Sequence, residues 1–418
     1  MRTTIASVTA LLISVFVLLV GNGLQNTLVA VRADSAGFGA LILGLMGSGY
    51  FVGMTIGCLA APALIRRAGH IRTFAACTAI ATVTSLIHAL ILQPETWIAL
   101  RIATGMLFAV LYAVIESWLN DKTTNEFRGR VLSVYLIINY GGTAVGQQGL
   151  VLPDPSEFLL FAICAIAVSL SAVPVAMTRS VSPPIPEALR IRPRWLYELS
   201  PVAFIGCFAV GLVNASFWTL GPVFISQAGY PPATVANFMS TVIVGAVVAI
   251  WPVGFISDRV DRRLVMLGSA AVSLVASITL AAFATVSPMW LYTAGFLFGA
   301  ATMPIYSLVI SHANDHAGPG DGVAVATGML LLYCVGAMIG PLLASGAMAA
   351  LGARGLFVYA AIVQLLLCGI TVLRLTRRAA PPIEEREAYM PMRPTSTAVV
   401  GLDPRMPAED EEEAGSAI

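Results

Sequence analysis

Again and again along this 418-residue chain, apolar residues run for about twenty positions with little or no charge among them. That length is what a helix needs to cross the hydrocarbon core of a bilayer, where no water is present to satisfy the backbone and a span must close its own hydrogen bonds. Twelve such runs are bounded by charge, proline or short polar turns, at roughly 5–31, 38–65, 73–92, 97–118, 130–152, 158–178, 201–226, 234–257, 264–285, 288–311, 322–348 and 355–376. None alternates residue by residue, so a membrane barrel is excluded and a helical bundle is expected. The first run has no convincing small-residue cleavage site and reads as a span, not a leader.

The chain is 58% hydrophobic and only 11% charged, which excludes a soluble globular protein. Its net charge of +1 hides an acidic end, Glu409-Asp410-Glu411-Glu412-Glu413, and points to no nucleic-acid partner. Six cysteines stand singly within apolar runs and read as small buried hydrophobes, without metal or disulfide spacing. No nucleophile-base order, phosphate loop or metal cluster is visible, so neither an enzyme nor a cofactor is expected. The chain reads as a monomer.

Arginine and lysine sort strongly to one side. Arg66, Arg67, Arg72, Lys122, Arg128, Arg130, Arg259, Arg262, Arg263 and Arg374 fall in loops of one parity, whereas Arg32 and Arg354 fall in the other. The positive-inside rule then predicts an inner-membrane protein with both termini cytoplasmic. A proline- and arginine-rich connection at 179–200 divides two bundles, 1–178 and 201–378, and residues 379–418 read as a disordered cytoplasmic tail. A shift of about 192 to 194 residues lays Asn22 on Asn214, Arg67 on Arg259, Asn120-Asp121 on Asn314-Asp315, and Gly142-x-x-x-Gly146 on Gly336-x-x-x-Gly340. Two parallel six-helix repeats are expected, with a ligand site at their interface.

Between the eighth and ninth runs lies Gly254-Phe-Ile-Ser-Asp258-Arg259-Val-Asp261-Arg262-Arg263. This stretch resembles the G-x-x-x-D-R-x-G-R-R loop signature of the major facilitator superfamily, with Asp261 in place of the second glycine. Its twin after the second run has Pro62 in the first glycine position, Arg66 in place of the acid, then Arg67, with Gly69 kept. Asn26-Thr27-Leu28-Val29, Glu116-Ser117 with Arg128-Gly129-Arg130, and Gly146-Gln147 are similar to the YcaD-like branch of bacterial transporters. The resemblance covers residues 1 to about 378. It implies an all-α membrane protein of twelve transmembrane helices in two pseudo-symmetric bundles, and secondary transport of a small organic solute by alternating access. Family tendency points to proton coupling and efflux; proton-coupled uptake or facilitated diffusion of a sugar-like or neutral solute, or a non-transporting membrane sensor on the same scaffold, are the alternatives.

Two formal charges stand inside the runs, Arg101 and Glu116, both in the fourth, separated by roughly 22 Å of helix. Arg101 with Gly105 matches an R-x-x-x-G pattern of the superfamily, which implies proton coupling or anion handling. Glu116 is either a proton carrier or a charge latch to Arg66, Arg67, Arg72 or Arg130. Asn22, Gln25 and Asn26, repeated by Asn214 and Trp218, read as cavity-lining residues or as interhelical hydrogen bonders, with Asn139, Gln147, Tyr306 and Tyr333 as further lining candidates. Gly49-x-x-x-Gly53-x-x-x-Gly57 reads as a helix-packing face. Arg66, Arg67, Gly69, Gly254, Asp258, Arg259 and Arg262 form the expected latch on the cytoplasmic face. Protons, the solute and the lipid bilayer are the expected partners.

Overall fold

A computed structural model of the chain describes residues 2–123, 127–152, 158–177, 192–318, 321–377, 386, 388–396 and 398. Most of the connection at 179–200 and the acidic run Glu409 to Glu413 lie outside the described residues. The helices are α1 (Arg2–Ser35), α2 (Ala40–Ala68), α3 (His70–Leu90), α4 (Pro94–Lys122), α5 (Arg128–Gln148), α6 (Phe158–Leu170), α7 (Ala172–Ala176), α8 (Pro193–Leu199), α9 (Pro201–Gln227), α10 (Pro232–Ser257), α11 (Arg262–Phe283), α12 (Pro288–Thr302), α13 (Ile305–Asn314), α14 (Gly322–Leu351) and α15 (Gly355–Leu375). Among the described residues, eleven helical stretches are long and apolar enough to span a membrane, with α6–α7 and α12–α13 each counting as one. The more polar α5 packs among them as the twelfth. Pro304 breaks the tenth span into α12 and α13, because a proline ring denies its own N–H to the preceding turn.

Glycine decides how closely these helices cross. A β-carbon on Gly53 of α2 would lie 1.9 Å from the carbonyl oxygen of Ile102 on α4, and one on Gly105 would lie 1.9 Å from that of Tyr50. The second half repeats both contacts: Gly245 faces the Phe296 carbonyl at 2.2 Å and Gly299 the Val242 carbonyl at 2.0 Å. The same holds for α1 with α5 and α9 with α14, where Gly146 meets Val20 and Gly340 meets Leu212, at 2.1 and 2.3 Å. Every one of these pairs carries the offset of 192 to 194 residues seen in the sequence. The repeat is therefore one of backbone contact as well as of residue type. Such small-residue crossings replace the hydrophobic drive that lipid removes.

Between the halves, closure lies at the arginine-poor end. Asp34 of α1 accepts hydrogen bonds from Ser226 Oγ (2.9 Å) and Gln227 Nε2 (2.7 Å) of α9, and Gln148 Nε2 donates to Ser240 Oγ of α10 (2.8 Å). Gly44 and Gly47 of α2 press on Ser345 and Pro341 of α14. The proline in α14 thus sits in this seal. At the arginine-rich end the halves are joined instead by residues 388–396, which run into the bundle where the sequence predicted a disordered tail. The expectation fails there because the stretch between the acidic flanks carries tyrosine, methionine and hydroxyl groups that find buried partners.

The crossing glycines predict a sharp contrast. Gly53→Ala or Gly105→Ala forces α2 from α4 and should cost about 1–3 kcal/mol. Gly141→Ala, where nothing lies within 4 Å, should be neutral or slightly stabilising. Thermal unfolding of the purified variants in one detergent measures both.

Candidate functional site

Half-way through the bundle, a cavity of about 130 Å³ lies between the repeats. From the first half it is lined by Asn22, Asn26, Tyr50, Arg101, Tyr112 and Gln147, and from the second by Asn214, Trp218, Met303, Tyr306 and Tyr333. Both halves contribute amides and aromatic rings, while the one cation comes from the first, among the residues of the twelve spans. Asn22 pairs with Asn214 and Tyr112 with Tyr306 across the internal symmetry.

Arg101 is buried, at 6% exposure. Its Nη1 donates to Asn26 Oδ1 at 2.8 Å, Asn26 Nδ2 donates on to Asn22 Oδ1 at 3.1 Å, and its guanidinium sits 4.5 Å from the Tyr50 ring centre. Among the described residues no carboxylate lies within ion-pair distance of it, since the ion pairs they form are all elsewhere. The equivalent place in the second half is Gly295, against the Phe238 ring. The cation is thus an addition of the first half, held by amides and a π face.

Glu116 is fully buried, and Tyr135 Oη donates to it at 2.7 Å. The hydroxyls of Thr395 and Ser396 donate to its two carboxylate oxygens. The latch to Arg66, Arg67, Arg72 or Arg130 is not formed: no ion pair joins Glu116 to them among the described residues, because Glu116 faces inward while those four arginines are exposed. Gln25 is a second correction. It is buried away from the cavity, and neither its Oε1 nor its Nε2 has a hydrogen-bond partner among the described residues. Asn139 lies beside the main cavity, with its Oδ1 accepting from Arg393 Nη1. Asn22, Asn26, Gln147, Asn214, Trp218, Tyr306 and Tyr333 line the one central cavity.

The motif at the arginine-rich end is asymmetric. Arg262 Nε lies 3.1 Å from Asp315 Oδ2, with both side chains 1% exposed, and its Nη2 lies 3.7 Å from Asp258 Oδ1. This triad ties α10, α11 and α13 into one block. In the first half the positions of Asp258 and Arg262 fall to Arg66 and His70, and His70 Nε2 instead faces Ser117 Oγ at 3.1 Å. Arg66 and Arg67 extend into solvent, and Arg259 folds back over the Phe255 ring at 3.5 Å, so these three latch nothing across helices. Gly69 serves as the turn between α2 and α3, at φ +78°. Asp261, which replaces the motif glycine, caps α11 by accepting from Arg263 N (2.9 Å) and pairs with its guanidinium at 2.7 Å. Burial pushes its carboxyl up, but the hydrogen bonds and charge of Arg263 outweigh this and hold it below the usual aspartate value.

Sequence reasoning missed the contributions of Tyr389, Met392, Arg393, Thr395 and Ser396, all beyond the last span. A signal was present: between the acids at 384–387 and at 409–413, the stretch 388–398 carries no acid, two prolines and a tyrosine.

Two mirrored six-helix halves around a central polar cavity, sealed at one end, define an alternating-access transporter. A profile of the Major Facilitator Superfamily matches residues 11–333, and again 232–402, and the chain belongs to that family. An uncharacterized MFS-type transporter of Enterobacter sp. (strain 638) is 26% identical over 344 residues, 82% of this chain and 88% of the relative. The uncharacterized MFS-type transporter YcaD of Salmonella arizonae is 27% identical over 351 residues, with the same coverage. Among solved structures, the nucleoside transporter NupG superposes with a TM-score of 0.71 at 14% identity, covering 90% of this chain and all of NupG. A bacterial homolog of the human lysosomal transporter Spinster, in its inward-facing and occupied conformation, gives 0.67 at 15%, covering 90% and 97%. Transport of a small solute is the function this family membership gives.

The triad makes two measurable demands. Asp315→Asn leaves Arg262 short of its buried counter-charge and should cost about 3–5 kcal/mol, whereas Arg66→Ala should stay within about 0.5 kcal/mol. Thermal unfolding of the two variants tests this. For Asp261 the folded value lies below the ordinary 3.8, so its contribution to the α11 cap is complete above that pH and fades as pH falls through the lower folded value. Asp261→Asn should flatten this acid limb of an unfolding-versus-pH curve.

Proposed function

We propose that the chain is a proton-coupled exporter of small organic anions bearing an aromatic or aliphatic body, with its arginine-rich face toward the cytoplasm. The observation that carries this is Arg101: a buried cation in the cavity, held by Asn26 and the Tyr50 ring without a carboxylate at ion-pair distance among the described residues. Charge inside a membrane protein is costly and calls for compensation. A carboxylate or similar anion entering the cavity provides it, forming the charge-assisted bonds that guanidinium geometry favours. Trp218, Tyr306 and Tyr333 on the facing wall supply the apolar contact for the rest of the solute.

Glu116 is the proton carrier in this proposal. As a carboxylate it accepts from three hydroxyls; once protonated it keeps an O–H of its own to donate, so the same neighbours no longer suit it equally. Protonation therefore biases one arrangement of the two halves over the other, which is the coupling alternating access needs. Solute on Arg101 and proton on Glu116 occupy the same helix α4, so one rigid element reports both.

A thermal-shift comparison of an aryl carboxylate with its neutral primary amide tests the ligand class. The carboxylate should stabilise the wild type and the amide should not, and Arg101→Gln should weaken the effect by about 10- to 100-fold in apparent affinity. Equal stabilisation by the amide would rule out the anion assignment. With a binding carboxylate in hand, Glu116→Gln in reconstituted vesicles should abolish accumulation driven by an imposed pH gradient while counter-exchange continues. Gradient-driven accumulation by that variant would remove Glu116 from the coupling step, and the sign of the driving gradient reports the direction.

A further inference from the structure

Beyond the last span, the stretch from Tyr389 to Ser396 enters the arginine-rich end of the bundle and is gripped in turn by both halves. It meets the second half first. Tyr389 N donates to Asp258 Oδ1 at 2.8 Å, and its ring fills the space beside Gly254, where a β-carbon would lie 2.5 Å from Tyr389 Cδ1. Ser307 of α13 clasps the backbone of Met392 both ways, accepting from its N–H at 2.9 Å and donating to its carbonyl at 3.1 Å. The stretch then crosses to the first half. Arg393 donates to Asn139 Oδ1 and lies 4.3 Å from the Tyr140 ring centre, and Thr395 and Ser396 donate to Glu116.

We propose that the inner half of the cavity is a peptide-binding site, that its occupant is the chain's own Tyr389 to Ser396, and that this segment must withdraw before a solute can enter from the arginine-rich face. Three features distinguish this from a chain end lying on a surface. Its backbone and side chains satisfy Ser307, Asn139 and Glu116, which are buried in the bundle, and unsatisfied buried polar groups are expensive there. Arg393 and Thr395 line the same central cavity as Arg101, so the segment and an incoming solute compete for one space. Its two ends bond to opposite halves, so it also staples them on the side where alternating access requires them to part. The motif glycine takes a further meaning here: its missing side chain is the seat of the Tyr389 ring. The proposal requires only a transporter of this fold and stands apart from the identity of the solute and of the coupling ion.

The test uses the full-length protein in lipid nanodiscs and needs no solute. Hydrogen exchange reports the amides of Tyr389 and Met392. A membrane-impermeant maleimide with site-resolved mass spectrometry reports Cys58, which lies under Ser396 and Ala398. Two variants displace the segment from different sides: Thr395→Glu with Ser396→Glu places carboxylates against Glu116, and Gly254→Val fills the seat of Tyr389. In the wild type both amides should exchange slowly and Cys58 should label slowly. In both variants the amides should be freed and Cys58 labelling should rise by at least about tenfold, with exchange in the cores of α4 and α14 unchanged as the check on folding. Wild-type amides exchanging as fast as an unstructured peptide overturn the proposal. So do amides that stay protected in both variants, or freed amides with unchanged Cys58 labelling.

Discussion

Within each half, helices meet backbone to backbone, and this close approach governs what the rest of the protein can do. Surrounded by lipid, a bundle gains little from hiding apolar side chains, so cohesion comes from dispersion contacts that deepen as backbones draw near. Gly53 with Gly105, Gly245 with Gly299, and Gly146 and Gly340 against α1 and α9 create that approach in matched pairs. Each crossing lies inside a half. The seam between the halves is held differently, by the patch at Gly44 and Gly47 and by side-chain hydrogen bonds such as those of Asp34 and Gln148. Rocking at the seam is then the mode of motion that leaves the tight crossings intact.

Against this shared frame, the residues that break the symmetry stand out by subtraction. Arg101 corresponds to Gly295 and Glu116 to Ile310, so both charges of the cavity axis belong to the first half. The Asp258–Arg262–Asp315 triad, with Arg262 and Asp315 buried, belongs to the second, its first-half counterpart reduced to His70 and Ser117 beside exposed arginines. One half carries groups that a ligand or a proton can address, and the other carries the charge network that makes it a firm block. A scaffold duplicated for packing has thus diverged where electrostatic work is done.

Much of this was legible in the sequence, for physical reasons. Span length, charge asymmetry and the 192-to-194 offset are consequences of the bilayer and of duplication, and each leaves a mark on every helix. The cavity set was legible because amides and tyrosines inside apolar runs have few places to go: Asn22, Asn26, Asn214 and Tyr306 all reach the centre. Gln25 shows the limit, since adjacent positions on a helix differ by about 100° and the sequence does not fix which one turns inward. The partner of Glu116 was hidden for another reason. Spacing along α4 put it near a belt of arginines, but proximity along the axis says nothing about azimuth, and two of its three hydroxyl partners lie 279 and 280 residues away in a segment without periodicity.

That segment answers a difficulty the cavity creates for itself. Glu116 and Asn139 are fully buried, and a carboxylate deep in an apolar bundle needs donors there whether or not a solute is present. Water would supply them, at the cost of a wet channel reaching the seal at Asp34 and Gln148. A short segment with two hydroxyls, an arginine and two prolines supplies the same donors as a dry insert. Proline restricts its backbone beforehand, so less conformational entropy is lost on docking. On the proposed reading its bonds go to side chains along the solute path, so its hold must be strong enough to exclude water yet weak enough to yield. Its bonds to Glu116 meet that balance: two of the three hydroxyls on the carboxylate belong to the segment, so a change in the charge of that one group alters its hold on the tail and its role in the cavity together.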